Sequence, residues 1–237
     1  MLPRPIGQDG GVIELRRAAV LFDLDGVLVD SRAAIGGCLS QALAENGLPP
    51  RDADSLHRFI GPPLALAFAE LTEQDPGSEL VASCIRSYRA RYARASLSQT
   101  TVVAGIQPVL VQLARRYLLA VATSKPVTFA DPILAAVGLR HFFSVVCGPD
   151  LSSLREDKAR TVSLALAGLD GGLAVMVGDR SFDVTAAHAN GIAAIGVSWG
   201  IGSFEELLSA RADLIIDHPD QLPAAVEGLL AESSPTP

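Results

Sequence analysis

The sequence is that of an α/β domain, a doubly wound parallel sheet interrupted by an inserted, all-helical segment. Three observations carry this expectation. From about residue 104 onward, short apolar runs alternate with helical periods. Those runs, such as Leu173–Val177 (LAVMV), are apolar throughout, as strands covered on both faces must be. Residues 32–99 hold helical periods and no convincing strand.

In chain order, residues 1–11 are rich in Pro and Gly and read as a mobile tail. Ala18 to Phe22 is an apolar run ending in acids, hence a buried first strand. Helical periods follow at Ile35–Glu45, Pro63–Thr72 and Glu79–Ala95. Helix Gly105–Arg116 carries Pro108 where a first turn tolerates it. Strand Leu118–Ala122, a helix at Asp131–Val137 stopped by Gly138, and strand Ser144–Cys147 come next. Helix Glu156–Ala167, strand Leu173–Val177 and helix Phe182–Asn190 with Gly191 as its stop continue the alternation. Strand Ala193–Ser198, helix Phe204–Ser209, strand Asp213–Ile216 and a helix at Gln221–Leu230 complete it, and the last residues, AESSPTP, should fray.

The expected organisation is therefore a core of residues 1–31 and 100–237, with 32–99 as a helical cap. The chain of 237 residues is 49% apolar and carries a net charge of −7, which excludes disorder as its main state. Residues 32–99 contain 7 Arg and 7 acids, so the whole charge excess lies in the remainder. An acidic balance argues against nucleic acid, whose phosphates are neutralised by Lys and Arg. No stretch approaches a membrane helix, and MLPRPIGQDGG lacks a signal-peptide core. Cys38, Cys84 and Cys147 are odd in number and far apart, as free thiols in a reducing cytoplasm would be. Of 19 basic residues only Lys125 and Lys158 are lysines. In a chain that writes Arg by default, a retained Lys is more often required.

Open α/β sheets bind ligands at the carboxyl ends of their strands. Asp23 and Asp25 follow the first strand, two apart on extended backbone, so both point into one site. Like charges so close resist joint ionisation unless a cation lies between them or one holds a proton. Thr123-Ser124-Lys125 follows the second strand. Lys158 precedes Leu173–Val177, and Gly178-Asp179-Arg180-Ser181-Phe182-Asp183 follows it. Asp179 and Asp183, four apart at a helix start, share a face. Each could be a helix cap or a solvated residue alone; together, at consecutive strand ends, they read as a site.

These motifs resemble those of the haloacid dehalogenase-like hydrolase superfamily, over about residues 17–231. DLDGVLVDS matches its nucleophile motif, VATS the second, Lys158 the third and GDRSFD the fourth. With GVSWGIGSFEEL, the texture is that of phosphoglycolate phosphatase-like members with a small helical cap. Val27 stands where such phosphatases often carry Thr, and Lys158 sits in EDKAR without a following Pro.

The resemblance implies a Rossmann-like core and a Mg²⁺-dependent phosphomonoester hydrolase working through an aspartyl-phosphate. Asp23 would be the nucleophile and Asp25 the general acid and base. Thr123, the Ser124 N–H and Lys158 would hold the phosphoryl group. Asp23, the Asp25 carbonyl and Asp179 would bind the metal, with Asp183 in or just behind that shell. Gly61, in Phe59–Leu64, is a candidate specificity position; Lys125 either meets substrate or pairs with an acid. Arg86, Arg89, Arg91 and Arg94 read as a solvated face, His188 as helix surface and Trp199 as core. The substrate would be a small phosphate ester: phosphoglycolate, a phosphosugar or a nucleotide-like compound. A cytoplasmic monomer or homodimer is expected. Asp25 disfavours a dehalogenase, and the lack of Lys before Lys125 disfavours Schiff-base phosphonate cleavage. A phosphosugar mutase, or a non-catalytic binding module, are the alternatives.

Overall fold

The computed structural model describes residues 18–151, 157–169 and 172–232. The N-terminal tail, Glu156 and residues 233–237 lie outside them, whereas Ala231 and Glu232 close the last helix.

Six strands form one parallel sheet: β1 (Ala19–Phe22), β4 (Leu118–Ala122), β5 (Val145–Cys147), β6 (Ala174–Gly178), β7 (Ala193–Val197) and β8 (Leu214–Ile216). Their order is β5-β4-β1-β6-β7-β8. The chain winds outward from β1 on one side and then on the other, which is the doubly wound arrangement. Phe22 pairs with Val121 of β4 and Val177 of β6, so the carboxyl ends of these three central strands lie side by side.

Period-two alternation divides the core. Val20 and Phe22 face one side of the sheet with Val121, Val175 and Val177. There they meet Ile106 and Leu110 of α4 (Ile106–Ala114) and Val226 of α9 (Leu222–Glu232). Ala19 and Leu21 face the other with Ala120 and Met176. That face is covered by Val162 of α6 (Lys158–Ala167), Val184 of α7 (Ser181–Ala189) and Leu207 of α8 (Phe204–Ser209). Full burial of a Leu, Ile or Phe contributes about 1.5–3 kcal/mol.

Between β1 and β4 the chain passes through α1 (Arg32–Glu45), α2 (Leu64–Thr72) and α3 (Glu79–Ser98), with a 3₁₀ turn at Asp54–Phe59. Ile35, Leu39, Phe68, Val81, Tyr88 and Tyr92 of these helices form a separate apolar cluster. Ile133 of α5 (Val127–Ala136) joins it. The route out and back is a two-residue antiparallel pair, β2 (Val29–Asp30) with β3 (Thr101–Val102). This pair and the 3₁₀ turn were not legible, because two residues show no alternation. α5 also begins four residues before the expected Asp131. Pro126 presets its entry, and Pro132 lies inside the helix rather than near its start.

Among the described residues, no helix is long and apolar enough to cross a membrane, and the three cysteines are free thiols. Burial pushes the Cys38 thiol up to about 11, which leaves it unreactive.

Candidate active site

Asp23 follows β1, and its N–H donates to the Val177 carbonyl at 2.9 Å, pinning it between β1 and β6. The first residue of α6 is Lys158. A cation there opposes the helix dipole, so something else must hold it. Its Nζ donates to Asp23 Oδ1 at 2.7 Å and lies 2.9 Å from Asp183 Oδ1. Asp183 occupies the first turn of α7, where the dipole favours an anion, and accepts the Arg180 N–H at 3.1 Å. Asp179 follows β6 with no exposed surface. Its Oδ2 accepts the Ile201 N–H at 2.6 Å, while Oδ1 is buried without a hydrogen-bond partner among the described residues. The backbone closes tightly on it. A Cβ at Gly26, whose φ is +85°, would fall 2.3 Å from Asp179 Oδ2, and one at Gly202 would fall 1.9 Å from its carbonyl oxygen.

Oxygens of Asp23, Asp179 and Asp183 lie within 4.8 Å of one another. Three carboxylates face one ammonium, an imbalance that bears on Asp179 and Asp183. Burial, reinforced by Asp183 and Asp23, raises Asp179 well above the usual carboxylate range. Burial and Asp23 push Asp183 up to about 6 against the opposing pull of Lys158. Burial works against the charge on Lys158, but Asp183 and Asp23 outweigh it and lift its pKa. An orphaned buried oxygen among clustered carboxylates suits a hard divalent cation such as Mg²⁺.

This electrostatic strain has a measurable sign. A carboxyl whose folded pKa is raised loses stability as pH rises from its unfolded value, 3.8, through its folded value, about 6 for Asp183. Without metal, the protein should therefore melt lower at pH 7 than at pH 4.5, and Mg²⁺ should raise the melting temperature chiefly at pH 7. Asp179→Asn is neutral at every pH, so it removes the cost of burying or protonating this carboxyl. In EDTA it should melt higher than wild type, with a shift of roughly 2–4 °C per kcal/mol relieved. The same variant should lose most of the Mg²⁺ response. Differential scanning fluorimetry at the two pH values checks both; an Asp179→Asn protein that melts lower in EDTA would contradict the account.

The Asp25 side chain is turned elsewhere. Lys125 Nζ donates to its Oδ1 at 2.6 Å, and the Ser31 hydroxyl donates to the same oxygen. Lys125 is buried and also contacts the Tyr92 hydroxyl of α3, lying 4.9 Å from that ring's centroid. Of the two readings open for Lys125, the geometry favours the ion pair. Because its partner is Asp25, substitution at 125 would disturb that carboxylate even if the lysine never meets substrate. Thr123, after β4, is buried, and its Oγ1 accepts the Lys125 N–H at 3.1 Å. Ser124 is half-buried beside it.

A cavity of about 460 Å³ opens over these groups; Asp23, Asp25, Thr123, Ser124, Lys125, Lys158 and Asp183 all border it. Asp179 lies behind this lining. Gly61 borders it too, with φ +106°. Arg180 fixes that loop: Nη1 donates to the Ile60 carbonyl at 2.5 Å and Nε to Glu206 Oε1 at 3.0 Å. Neither contact was foreseen, since each joins residues far apart in the chain.

The expectation of one solvated arginine face on α3 holds for Arg86, Arg91 and Arg94, which are exposed, and needs correction at Arg89. Arg91 pairs with Glu45, and Arg94 is exposed. Arg86, exposed and paired with Glu79, lies at the cavity border, and Arg89, half-buried, borders it too. Arg89 lies four residues after Ile85 and three before Tyr92, on the helix's apolar side, and that spacing was the available signal. His188 is exposed and pairs with Asp213 at 2.9 Å, and Trp199 packs against the core.

The chain is similar over its main length to known proteins. It is 34% identical to the "Probable phosphatase IndB" of Dickeya dadantii, over 91% of this chain and 96% of that protein. It is 37% identical to a 5'-nucleotidase of Pseudomonas aeruginosa, over 81% and 88%. A solved structure described as a predicted phosphatase from Clostridium acetobutylicum superposes with a TM-score of 0.83 at 34% identity, covering 90% of this chain and 99% of that one. Residues 20–197 match the family model for haloacid dehalogenase-like hydrolases. That span runs from the first strand through β7, and by it the chain belongs to the haloacid dehalogenase-like hydrolase family.

Proposed function

We propose that the protein is a Mg²⁺-dependent phosphomonoester hydrolase acting on a small phosphorylated metabolite through an aspartyl-phosphate on Asp23. The observation that carries this reading is Lys158, whose ammonium joins Asp23 to Asp183 at the floor of a cavity that Thr123 also borders. In this reading residues 1–31 and 100–237 form the core and 32–99 the cap.

An Asp23 oxygen attacks phosphorus, and the ester P–O bond breaks. Asp25, held by Lys125 and Ser31, gives its proton to the departing oxygen. Thr123, the Ser124 N–H and Lys158 bind the phosphoryl oxygens through the transfer. Water then attacks phosphorus, Asp25 takes its proton, and phosphate leaves with Asp23 restored. Asp23, Asp179, Asp183 and the Asp25 carbonyl would hold the cation. When bound, it supplies positive charge against the phosphoryl group and the nucleophile. The enzyme is read as a cytoplasmic monomer or homodimer that does not bind nucleic acid.

Phosphate release from p-nitrophenyl phosphate tests the reading: Mg²⁺ should support turnover and EDTA should stop it. Turnover indifferent to EDTA would contradict it. Asp25→Asn tests the division of labour between neighbouring acids. It should cost about 10²–10⁴-fold on an alkyl phosphate. The loss should be smaller with a nitrophenyl leaving group, which needs no proton, and phosphoenzyme should accumulate. Equal losses on both esters would argue against an acid/base role.

A further inference from the structure

Among the described residues five cations border the cavity, and four are matched by acids. Lys125 pairs with Asp25, Lys158 with Asp23 and Asp183, Arg180 with Glu206, and Arg86 with Glu79 at 2.7 Å. Arg89 has no ion pair among the described residues, and its Nε is buried without a hydrogen-bond partner. A buried donor left unmatched is costly, so its presence on a ligand-sized cavity points to a group supplied by the ligand. The cavity lining also includes the apolar and aromatic side chains of Phe59, Leu64, Ile85, Tyr88 and Phe129. A volume of about 460 Å³ accommodates a ring-sized organic body and is far from filled by a two-carbon acid phosphate.

We propose that the ester cleaved here carries a ring-sized, largely apolar body with a carboxylate distal to the phosphate, and that Arg89 recognises this carboxylate. The inference rests on the phosphatase reading of the same site. A guanidinium presents a planar fork that matches a carboxylate with two parallel hydrogen bonds. A single unmatched cation balances one negative charge, so a monoanion fits better than a second phosphate.

The test compares 3-carboxyphenyl phosphate with 3-carbamoylphenyl phosphate, its neutral isostere, in wild type and Arg89→Ala. Comparing ratios between enzymes cancels the difference in leaving group. In wild type kcat/KM should favour the carboxylate by about ten-fold or more, as expected for a charge-assisted bidentate pair. In Arg89→Ala that ratio should fall towards one, mainly through a higher KM for the carboxylate ester. 3-Carboxyphenyl phosphate should also exceed phosphoglycolate in wild type. A preference that survives in Arg89→Ala, or phosphoglycolate as the better substrate, would overturn the proposal. Should the variant not fold by circular dichroism, the wild-type ratio decides: no preference for the carboxylate overturns it. Release from none of the esters would instead strike the phosphatase reading itself.

Discussion

Asp23→Asn should abolish turnover, by about 10³-fold or more, while leaving the protein folded. Removal of a nucleophile typically leaves only the residual rate that binding and electrostatics supply. The swap is close to isosteric, so the main-chain bond from residue 23 to Val177 is kept. Lys158 retains Asp183 as a partner, and no buried cation is orphaned. One repelling charge is also lost from a cluster in which Asp179 and Asp183 are pushed towards protonation. The variant should therefore melt at or above the wild-type temperature without metal. Steady-state kinetics with circular dichroism check both halves. Activity above a few per cent of wild type would remove Asp23 from the role of nucleophile.

Lys158→Arg should cost about 10²-fold or more in turnover, by comparison with the loss of a positioned donor. The charge is kept; what changes is shape. Lys158 is buried against Asp23 and Asp183 at 2.7 and 2.9 Å, a geometry suited to one compact ammonium. A guanidinium is longer, planar and forked, and would have to displace one carboxylate or the helix start that carries it. The melting temperature should fall as well, since overpacking a buried site typically costs about 1–3 kcal/mol. Kinetics read alongside the thermal transition separate the two effects. A variant within a few-fold of wild type would show that bulk positive charge suffices at this position.

The parts of the site readable in the sequence were those fixed by short-range pattern. Asp23, Thr123 and Asp179 each follow an apolar run directly, and parallel strands lying side by side bring such ends together. Lys158 stood out because lysine is rare in the chain. What escaped were relations between distant segments. The pairing of Lys125 with Asp25 spans 100 residues, and that of Arg180 with the Ile60 carbonyl spans 120. Tyr92 meets Lys125 from a helix whose own pattern identifies only an apolar face. Arg89 shares its residue type with neighbouring arginines, but its helical phase sets it apart from Arg91 and Arg94. The pair β2 and β3 is too short for periodicity to register. α5 began early because a proline sets its entry backbone ahead of the first residues that show the period.

The central claim is that phosphorus becomes bonded to Asp23 during turnover. It is tested most directly by mixing the Asp25→Asn enzyme with p-nitrophenyl phosphate and Mg²⁺, quenching in acid, and mapping the protein by mass spectrometry. The account expects a single added phosphoryl group on the peptide that carries Asp23, lost on brief exposure to hydroxylamine as an acyl phosphate should be, and absent from Asp23→Asn. Wild-type turnover with no such adduct in Asp25→Asn, or an adduct mapped to another residue, would contradict it.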